Sequence, residues 1–291
     1  MPVMEPELDA ATLKAWARAV DDGPFSSLCW GERIAFDNPE AVTLLGALAA
    51  WTDRVRLVTT VLVPQLHDPV MLAKALATGD MLSGGRLTVG LGVGGRSEDY
   101  RAVGADPATQ TIRGMAERVE VMKRVWAGEN VTESVVPVGP APLQPRGPQL
   151  LVGTMGPKTV RNAAAWADGL AGTTLDLDTA KQNELFDVAR AAWAQAGKPK
   201  PLLATSFWFA LGGIDDARAQ IHRHLLRYMN WIPAHYVDAM APGTGWAGSE
   251  EELLGLFRKF EDIGTDEIYL IPTSSDVDQI GRVADVVRDF G

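Results

Sequence analysis

Residues 90–95, GLGVGG, have the G-x-G-x-x-G spacing of a dinucleotide-binding loop and begin at the end of the apolar run 87–91. In such a loop a helix begins at the third glycine, and an acidic residue ends a second strand about 20 residues later. Here a clear helical pattern begins only at Ile112, and the position about 20 residues after the glycines lies inside that pattern. The context therefore argues against a nucleotide loop.

We interpret the same glycines as part of a strand in a parallel barrel. Gly90 and Gly92 share one face of that strand, where the missing side chains let backbone or a flat ligand approach closely. Gly94, Gly95 and Arg96 follow at the carboxyl end of the strand. Active sites of parallel barrels form at that end, so we expect these three residues at a site.

A second glycine-rich turn lies at residues 150–158, LLVGTMGPK. Gly153 and Gly156 leave backbone N–H groups free, and Pro157 suits the first position of a helix. Free amides at a helix N-terminus bind phosphate, and Lys158 would add positive charge. An ordinary strand-to-helix turn explains these residues equally well.

Polar side chains also end two other predicted strands. Glu32 and Arg33 offer acid–base chemistry or anion binding, or else form a structural ion pair. Thr59 and Thr60 carry hydroxyls, but threonine is common in strands for its β-propensity alone. The aromatic run 206–209 is expected in the core, with a pocket wall as the alternative.

The histidines do not have the spacing of a metal site. His222 and His224 are two residues apart on a predicted helix, where they point in different directions. We therefore expect all four histidines on the surface or as helix caps, and no metal site. The single cysteine excludes an intramolecular disulfide, and no G-x-S-x-G nucleophile motif is present.

Composition narrows the class of protein. The chain has 291 residues and a formal net charge of −10, which argues against a nucleic-acid partner or an anionic membrane surface, since both require a basic face. No leader-like start and no apolar run long enough for a membrane span are visible. The expectation is a soluble cytoplasmic protein.

Alternating strands and helices predict a single-domain TIM (β/α)8-type barrel over residues 1–291, with insertions. The order begins with a helix at 9–21, and seven strands follow, at 26–30, 55–63, 86–93, 149–152, 169–172, 204–211 and 267–271. An eighth strand is missing at the front, so the first strand is either truncated or starts upstream. Residues 131–149 form a long excursion, and residues 232–248 look irregular and are expected to cover the pocket.

The chain resembles the bacterial luciferase-like monooxygenase family. The resemblance lies in residues 52–57 (TDRVRL), 59–64 (TTVLVP), 66–69 (LHDP), 72–74 (LAK), 82–87 (LSGGRL), 90–94 (GLGVG), 152–157 (VGTMGP) and 167–169 (ADG). The LSGGR run is the most specific of these. The resemblance implies a TIM-type barrel that binds FMN or the deazaflavin coenzyme F420.

The resemblance also implies which residues contact the cofactor. It suggests a non-proline cis peptide behind the cofactor ring, which we predict at Thr60–Val61, although the family often has glycine at the position of Thr60. The implied cofactor-binding residues are Thr59, Thr60, Val61, Gly94, Gly95, Arg96, Gly153, Thr154, Met155 and Gly156.

One departure from the family concerns the chemistry. Many deazaflavin members carry an acid–His pair where this chain has Glu32 and Arg33. Arg33 cannot exchange a proton near neutral pH, but it can stabilise anionic charge, so Glu32 remains the titratable candidate. The resemblance implies an F420-dependent oxidoreductase that moves a hydride between the deazaflavin and a small organic substrate. The alternatives are an FMN-dependent monooxygenase and a flavin-binding protein without turnover; a homodimer is possible.

Overall fold

Eight parallel strands form the sheet of the computed structural model, which describes residues 1–291. Neighbouring strands pair in chain order from the first to the seventh, and the eighth pairs with the sixth. The strands are β1 (Ser27–Trp30), β2 (Arg56–Leu62), β3 (Leu87–Leu91), β4 (Gln149–Val152), β5 (Gly169–Ala171), β6 (Leu202–Leu211), β7 (Trp246–Gly248) and β8 (Glu267–Pro272). Because every pair is parallel, all carboxyl ends lie at the same edge of the sheet.

Eleven helices connect and cover these strands. They are α1 (Ala10–Asp22), α2 (Ala41–Trp51), α3 (Pro69–Leu82), α4 (Ser97–Ala102), α5 (Ile112–Trp126), α6 (Pro157–Ala163), α7 (Thr179–Gln195), α8 (Ile214–Tyr228), α9 (Ala234–Met240), α10 (Glu250–Asp262) and α11 (Asp278–Phe290). None of them combines the length and the apolar character that crossing a membrane requires.

Local signals predict most helix starts correctly. Asp68 caps α3 by accepting from two backbone N–H groups, with Pro69 at the first helical position. Ser249 and Glu252, which have the S-x-x-E spacing of a capping box, form one at the start of α10. Helix α2 starts later than the Asn-Pro pair at 38–39 suggests, because Glu40 is its cap and its carboxylate accepts from the N–H groups of Val42 and Thr43.

Two predictions of irregular structure were wrong. Residues 232–248 contain α9 and the short strand β7, whose residues pair with the end of β6 at Phe209–Leu211. Helix α4 begins directly after Arg96, although the sequence suggested no helix before Ile112. It has only six residues and is followed by α5 rather than by a strand, so the objection to a nucleotide loop stands.

The sheet is open at the front, as the missing first strand suggested. No strand precedes α1, and β1 and β8 do not pair with each other. The amino group of Met1 donates to the carbonyl of Cys29 (2.7 Å), and Ser26 Oγ donates to Glu267 Oε1 (2.7 Å) across the opening. A largely apolar cavity of about 490 Å³ lies between the two strands.

The strands β2 and β3 approach so closely that β3 requires glycine. A Cβ atom added at Gly90 would lie 2.2 Å from the carbonyl oxygen of Thr59. The Thr59 hydroxyl in turn donates to the carbonyl of Gly90 (3.0 Å). The missing side chain of Gly90 therefore lets neighbouring backbone approach closely. This was one of the two roles expected for it, the other being room for a flat ligand.

We expect Gly90→Ala to destabilise the protein by roughly 1–3 kcal/mol, because backbone atoms must move to admit the methyl group. The matched control is Gly46→Ala in α2, where an added Cβ meets no atom within 4 Å. That control should stabilise slightly, since alanine is the better helix former. Urea denaturation of the two variants measures both effects, and equal midpoints would contradict this account of Gly90.

Candidate active site

A cavity of about 480 Å³ lies at the carboxyl ends of the strands. This size suits a bound small molecule or cofactor. Its walls include nine of the twelve residues that sequence reasoning assigned to the site: Glu32, Thr60, Val61, Gly94, Gly95, Arg96, Gly153, Thr154 and Met155. The other three, Arg33, Thr59 and Gly156, do not line it.

The end of β2 forms the floor between two glycine turns. The peptide bond Thr60–Val61 is cis, as the sequence predicted, and the register between β2 and β3 shifts there. The side chain of Val61 occupies the space next to Gly92 and Gly153, where an added Cβ would lie 2.7 Å and 2.4 Å from a Val61 methyl group. Positions 92 and 153 therefore require glycine, because any larger residue would collide with the side chain of Val61.

The turn after β4 has fewer free backbone N–H groups than its sequence suggested. The N–H of Gly156 donates to the hydroxyl of Thr154 (3.0 Å), so this amide is already partnered. The helix that follows, α6, has only seven residues. Gly153, Thr154 and Met155 line the cavity, and the role of this turn in binding phosphate stays a prediction.

Glu32 is a buried carboxylate with two fixed partners. Its Oε2 accepts from the backbone N–H of Val63 (2.8 Å), and its Oε1 lies 2.7 Å from His67 Nε2. The residue is 8% exposed. The adjacent Glu32 and Arg33 do not form the ion pair that was one expectation, because Glu32 pairs with His67 instead.

The pairing changes the ionisation of His67. Burial of the ring disfavours its charged form, but the hydrogen bond with Glu32 and the charges of Glu32 and Glu40 together outweigh burial and raise the pKa of His67. Arg118 donates to the carbonyl of His67 (2.7 Å) and fixes the backbone there. The structure thus brings a histidine next to the carboxylate from a different part of the chain than the family pattern suggests.

The other side of the cavity is aromatic; the sequence left a pocket wall open for the run 206–209, which includes Trp208, but did not place His224 or Tyr228 at this side of the cavity. Trp208 from β6, His224 and Tyr228 from α8, and Trp231 after α8 all line it. His224 and Tyr228 are one helical turn apart, and their rings stack with centres 5.8 Å apart. The sequence signal for this wall was available: His224 and Tyr228 have the i, i+4 spacing of one helix face, and Trp231 follows three residues later.

The expectation for His224 was wrong. Its side chain is 1% exposed, so it is not a surface or capping residue. Its Nδ1 is hydrogen-bonded to the carboxylate of Glu5, and its Nε2 is buried without a partner. The Glu5–His224 contact ties the segment before α1 to α8.

Comparison with known proteins identifies related sequences. Residues 2–274 match the family model described as luciferase-like monooxygenase. An uncharacterised protein of Mycobacterium tuberculosis is 36% identical over 162 residues, which are 53% of this chain and 56% of that protein. The chain thus spans little more than half of the length of the first curated relatives that it matches.

Two relatives carry functional names. An F420-dependent glucose-6-phosphate dehydrogenase of Microbacterium testaceum is 31% identical over 143 residues, which are 47% of this chain and 43% of that protein. Limonene 1,2-monooxygenase of Rhodococcus erythropolis is 27% identical over 265 residues, which are 85% of this chain and 64% of that protein.

Solved structures agree on the fold. A monooxygenase of Streptomyces bottropensis has a TM-score of 0.80 at 23% identity, over 99% of this chain and 96% of that one. An F420-dependent secondary alcohol dehydrogenase, solved with an F420–acetone adduct, has a TM-score of 0.78 at 17% identity, over 96% of this chain and 94% of that one. The predicted TIM-barrel-like α/β fold is thereby confirmed.

We expect the pKa of the His67 ring to fall in Glu32→Gln, because that change removes the negative charge that favours the imidazolium. Since folding raises this pKa, the pair stabilises the protein fully below the unfolded value of about 6.5, and its contribution is lost as pH rises through the folded value. NMR titration of the ring measures the shift. Glu117→Gln, which removes an exposed partner of Arg113, is the control. An unchanged His67 titration in Glu32→Gln would contradict the assignment.

Proposed function

The chain belongs to the luciferase-like monooxygenase family, and we propose that it is an F420-dependent oxidoreductase. It would transfer a hydride between the deazaflavin and a small organic substrate. One observation carries the proposal: the Thr60–Val61 floor at the end of β2, the 94–96 turn after β3 and the 153–155 turn after β4 all line one cavity. This arrangement brings together eight of the ten residues to which the family resemblance assigned the cofactor.

The cavity fits a planar ring. Its volume of about 480 Å³ lies in the range of small-molecule sites. Its walls are largely apolar, with backbone at the glycine turns and polar groups at Glu32 and Arg96. An apolar wall with a few directed polar groups can hold an aromatic ring and set its orientation.

In this proposal the deazaflavin supplies the hydride chemistry when bound, and the protein supplies position and charge. Glu32 is the group that exchanges a proton with the substrate, because it faces the cavity and is held in place by Val63 and His67. The Glu32–His67 hydrogen bond gives that proton a second site 2.7 Å away. Arg33 stays protonated near neutral pH, although burial and the charge of Arg96 lower its pKa to about 10.

Support for F420 comes from the relatives. The F420-dependent glucose-6-phosphate dehydrogenase has higher identity than the limonene monooxygenase, 31% against 27%. The monooxygenase match is longer, however, at 265 against 143 residues. An FMN-dependent monooxygenase is therefore the second candidate, and a flavin-binding protein without turnover is the third. A homodimer and a cytoplasmic location stay predictions.

We expect micromolar binding of F420 and weaker binding of FMN when both are titrated into the protein in oxidised and reduced form. Quenching of cofactor fluorescence measures the affinities. Micromolar FMN binding without F420 binding would contradict the leading proposal and favour the monooxygenase. Tight cofactor binding without turnover for any tested pair of reductant and substrate would favour the third candidate.

We expect Gly95→Leu to weaken cofactor binding at least tenfold without loss of stability. Gly95 lines the cavity, and an added Cβ there meets no atom within 4 Å, so the larger side chain fills ligand space rather than the core. Gly153 is unsuitable for this test because its Cβ would collide with Val61. Gly281→Leu in α11, also free of contacts, is the control. Unchanged affinity in Gly95→Leu would place the cofactor elsewhere.

A further inference from the structure

Two arginines lie against the same pair of aromatic rings beside the cavity. The guanidinium carbon of Arg96 is 4.0 Å from the ring centre of Trp231 and 4.7 Å from that of Tyr228. For Arg33 the corresponding distances are 5.2 Å and 5.8 Å. Arg33 is 4% exposed and Arg96 is 9% exposed. Two like charges therefore share a small volume that is largely shielded from water.

Most hydrogen-bond donors of these two arginines have no acceptor in the protein. A guanidinium carries five N–H donors. Arg33 uses one, from Nη1 to the carbonyl of Tyr228 (2.9 Å), whereas the guanidinium of Arg96 makes no hydrogen bond. The Nε atoms of both side chains are buried without a partner. Buried charged donors in this state are costly unless a ligand satisfies them.

The nearby carboxylate of Asp99 forms an ion pair with Arg96 and offsets only one of the two positive charges. Asp99 Oδ2 is 3.9 Å from Arg96 Nη1, which is too long for a hydrogen bond. Asp99 Oδ1 accepts from the backbone N–H groups of Ile34 (3.1 Å) and Ala35 (2.7 Å). Asp99 thus holds the loop after β1, and the two arginines keep a net positive charge. This local charge is opposite to that of the chain as a whole, which is −10.

The aromatic contacts alone do not account for this arrangement. A ring face stabilises a cation that lies over it, but it accepts no hydrogen bond in the plane of the guanidinium. That planar fork matches the two oxygens of a carboxylate or a phosphate. Arg96 lines the cavity together with Tyr228 and Trp231, whereas Arg33 does not line it.

We propose that Arg33 and Arg96 form an oxyanion-binding site, in which Arg96 contacts a carboxylate or phosphate group of the ligand and Arg33 adds its charge. Anion binding by itself does not depend on the function proposed above, but the assignment of the anion to substrate or cofactor rests on it. The oxyanion belongs either to the substrate, which would then be an organic acid or a phosphate ester, or to the cofactor.

Calorimetric titration of the full chain with inorganic phosphate, and separately with acetate, tests the site without any cofactor. We expect saturable binding of at least one anion, weakened about 10- to 100-fold in Arg96→Met and measurably in Arg33→Met. Arg101→Met is the matched control, because Arg101 lies on α4, which begins directly after Arg96, and its side chain is 62% exposed. Absence of binding to the unmodified protein, or equal binding to Arg96→Met, would overturn the proposal.

Stability gives an independent readout. The Nε donor of Arg96 is buried without a partner, which costs free energy, so Arg96→Met should keep or raise the midpoint of urea denaturation. A structural arginine would behave in the opposite way. A lowered midpoint in Arg96→Met, together with a lowered midpoint in Arg96→Gln, would assign Arg96 to the fold and overturn the proposal.

Paired ligands identify the source of the oxyanion. FMN and riboflavin differ only by a phosphate, and F420 can likewise be compared with its chromophore without the phosphate-bearing tail. If Arg96→Met weakens only the phosphorylated ligands, the site binds the cofactor tail. If Arg96→Met weakens the binding of neither the phosphorylated ligand nor its counterpart without phosphate, and the cofactor-loaded protein still binds phosphate or acetate, the site binds the substrate. Anion binding without any flavin or deazaflavin binding would retain the oxyanion site and reject the proposed function.

Discussion

The side chain of Val61 determines how closely three strand ends can approach one another. It lies between Gly92, after β3, and Gly153, after β4, in space that any Cβ at those positions would also need. Gly90, two residues before Gly92, likewise leaves its side-chain space empty, because the carbonyl of Thr59 occupies it. Because these contacts leave no room for side chains, the backbone at the ends of β2, β3 and β4 comes together at the floor of one cavity. The positions of the polar groups around that cavity follow from this packing.

Charge is distributed unevenly around the cavity. On one side Glu32 is paired with His67 and held by a backbone N–H group, so each of its carboxylate oxygens has a partner. On the other side Arg33 and Arg96 retain unused donors beside the aromatic rings of α8 and the segment after it. A satisfied carboxylate and an unsatisfied cationic pair in one site suit a ligand that carries negative charge at one end and exchanges a proton at the other.

The aromatic wall depends on contacts between distant regions of the chain. Helix α8 carries His224 and Tyr228 on one face, and the segment before α1 fastens this helix through Glu5. Arg227 adds a hydrogen bond from its Nε to the carbonyl of Met4 (2.9 Å). The first residues therefore hold the wall against which the two arginines lie, even though they contribute no strand to the sheet.

The sequence alone determined the features that depend on interactions between residues close together in the chain. Caps such as Asp68 and Ser249 and the strand-to-helix alternation could be predicted, because local hydrogen bonds and periodicity leave a direct trace in residue order. The family resemblance implied ten cofactor-binding residues, of which eight line the cavity. The three residues of β7 left too short a pattern, and Glu40 replaced the expected cap of α2 because its longer side chain reaches the same N–H groups. Only the tertiary structure decided the partners of polar groups: Glu32 with His67, His224 with Glu5, and Arg96 with no acceptor. These pairings join residues 35 and 219 positions apart, and at such separations packing of the whole sheet and its helices, rather than local sequence, determines which charges meet.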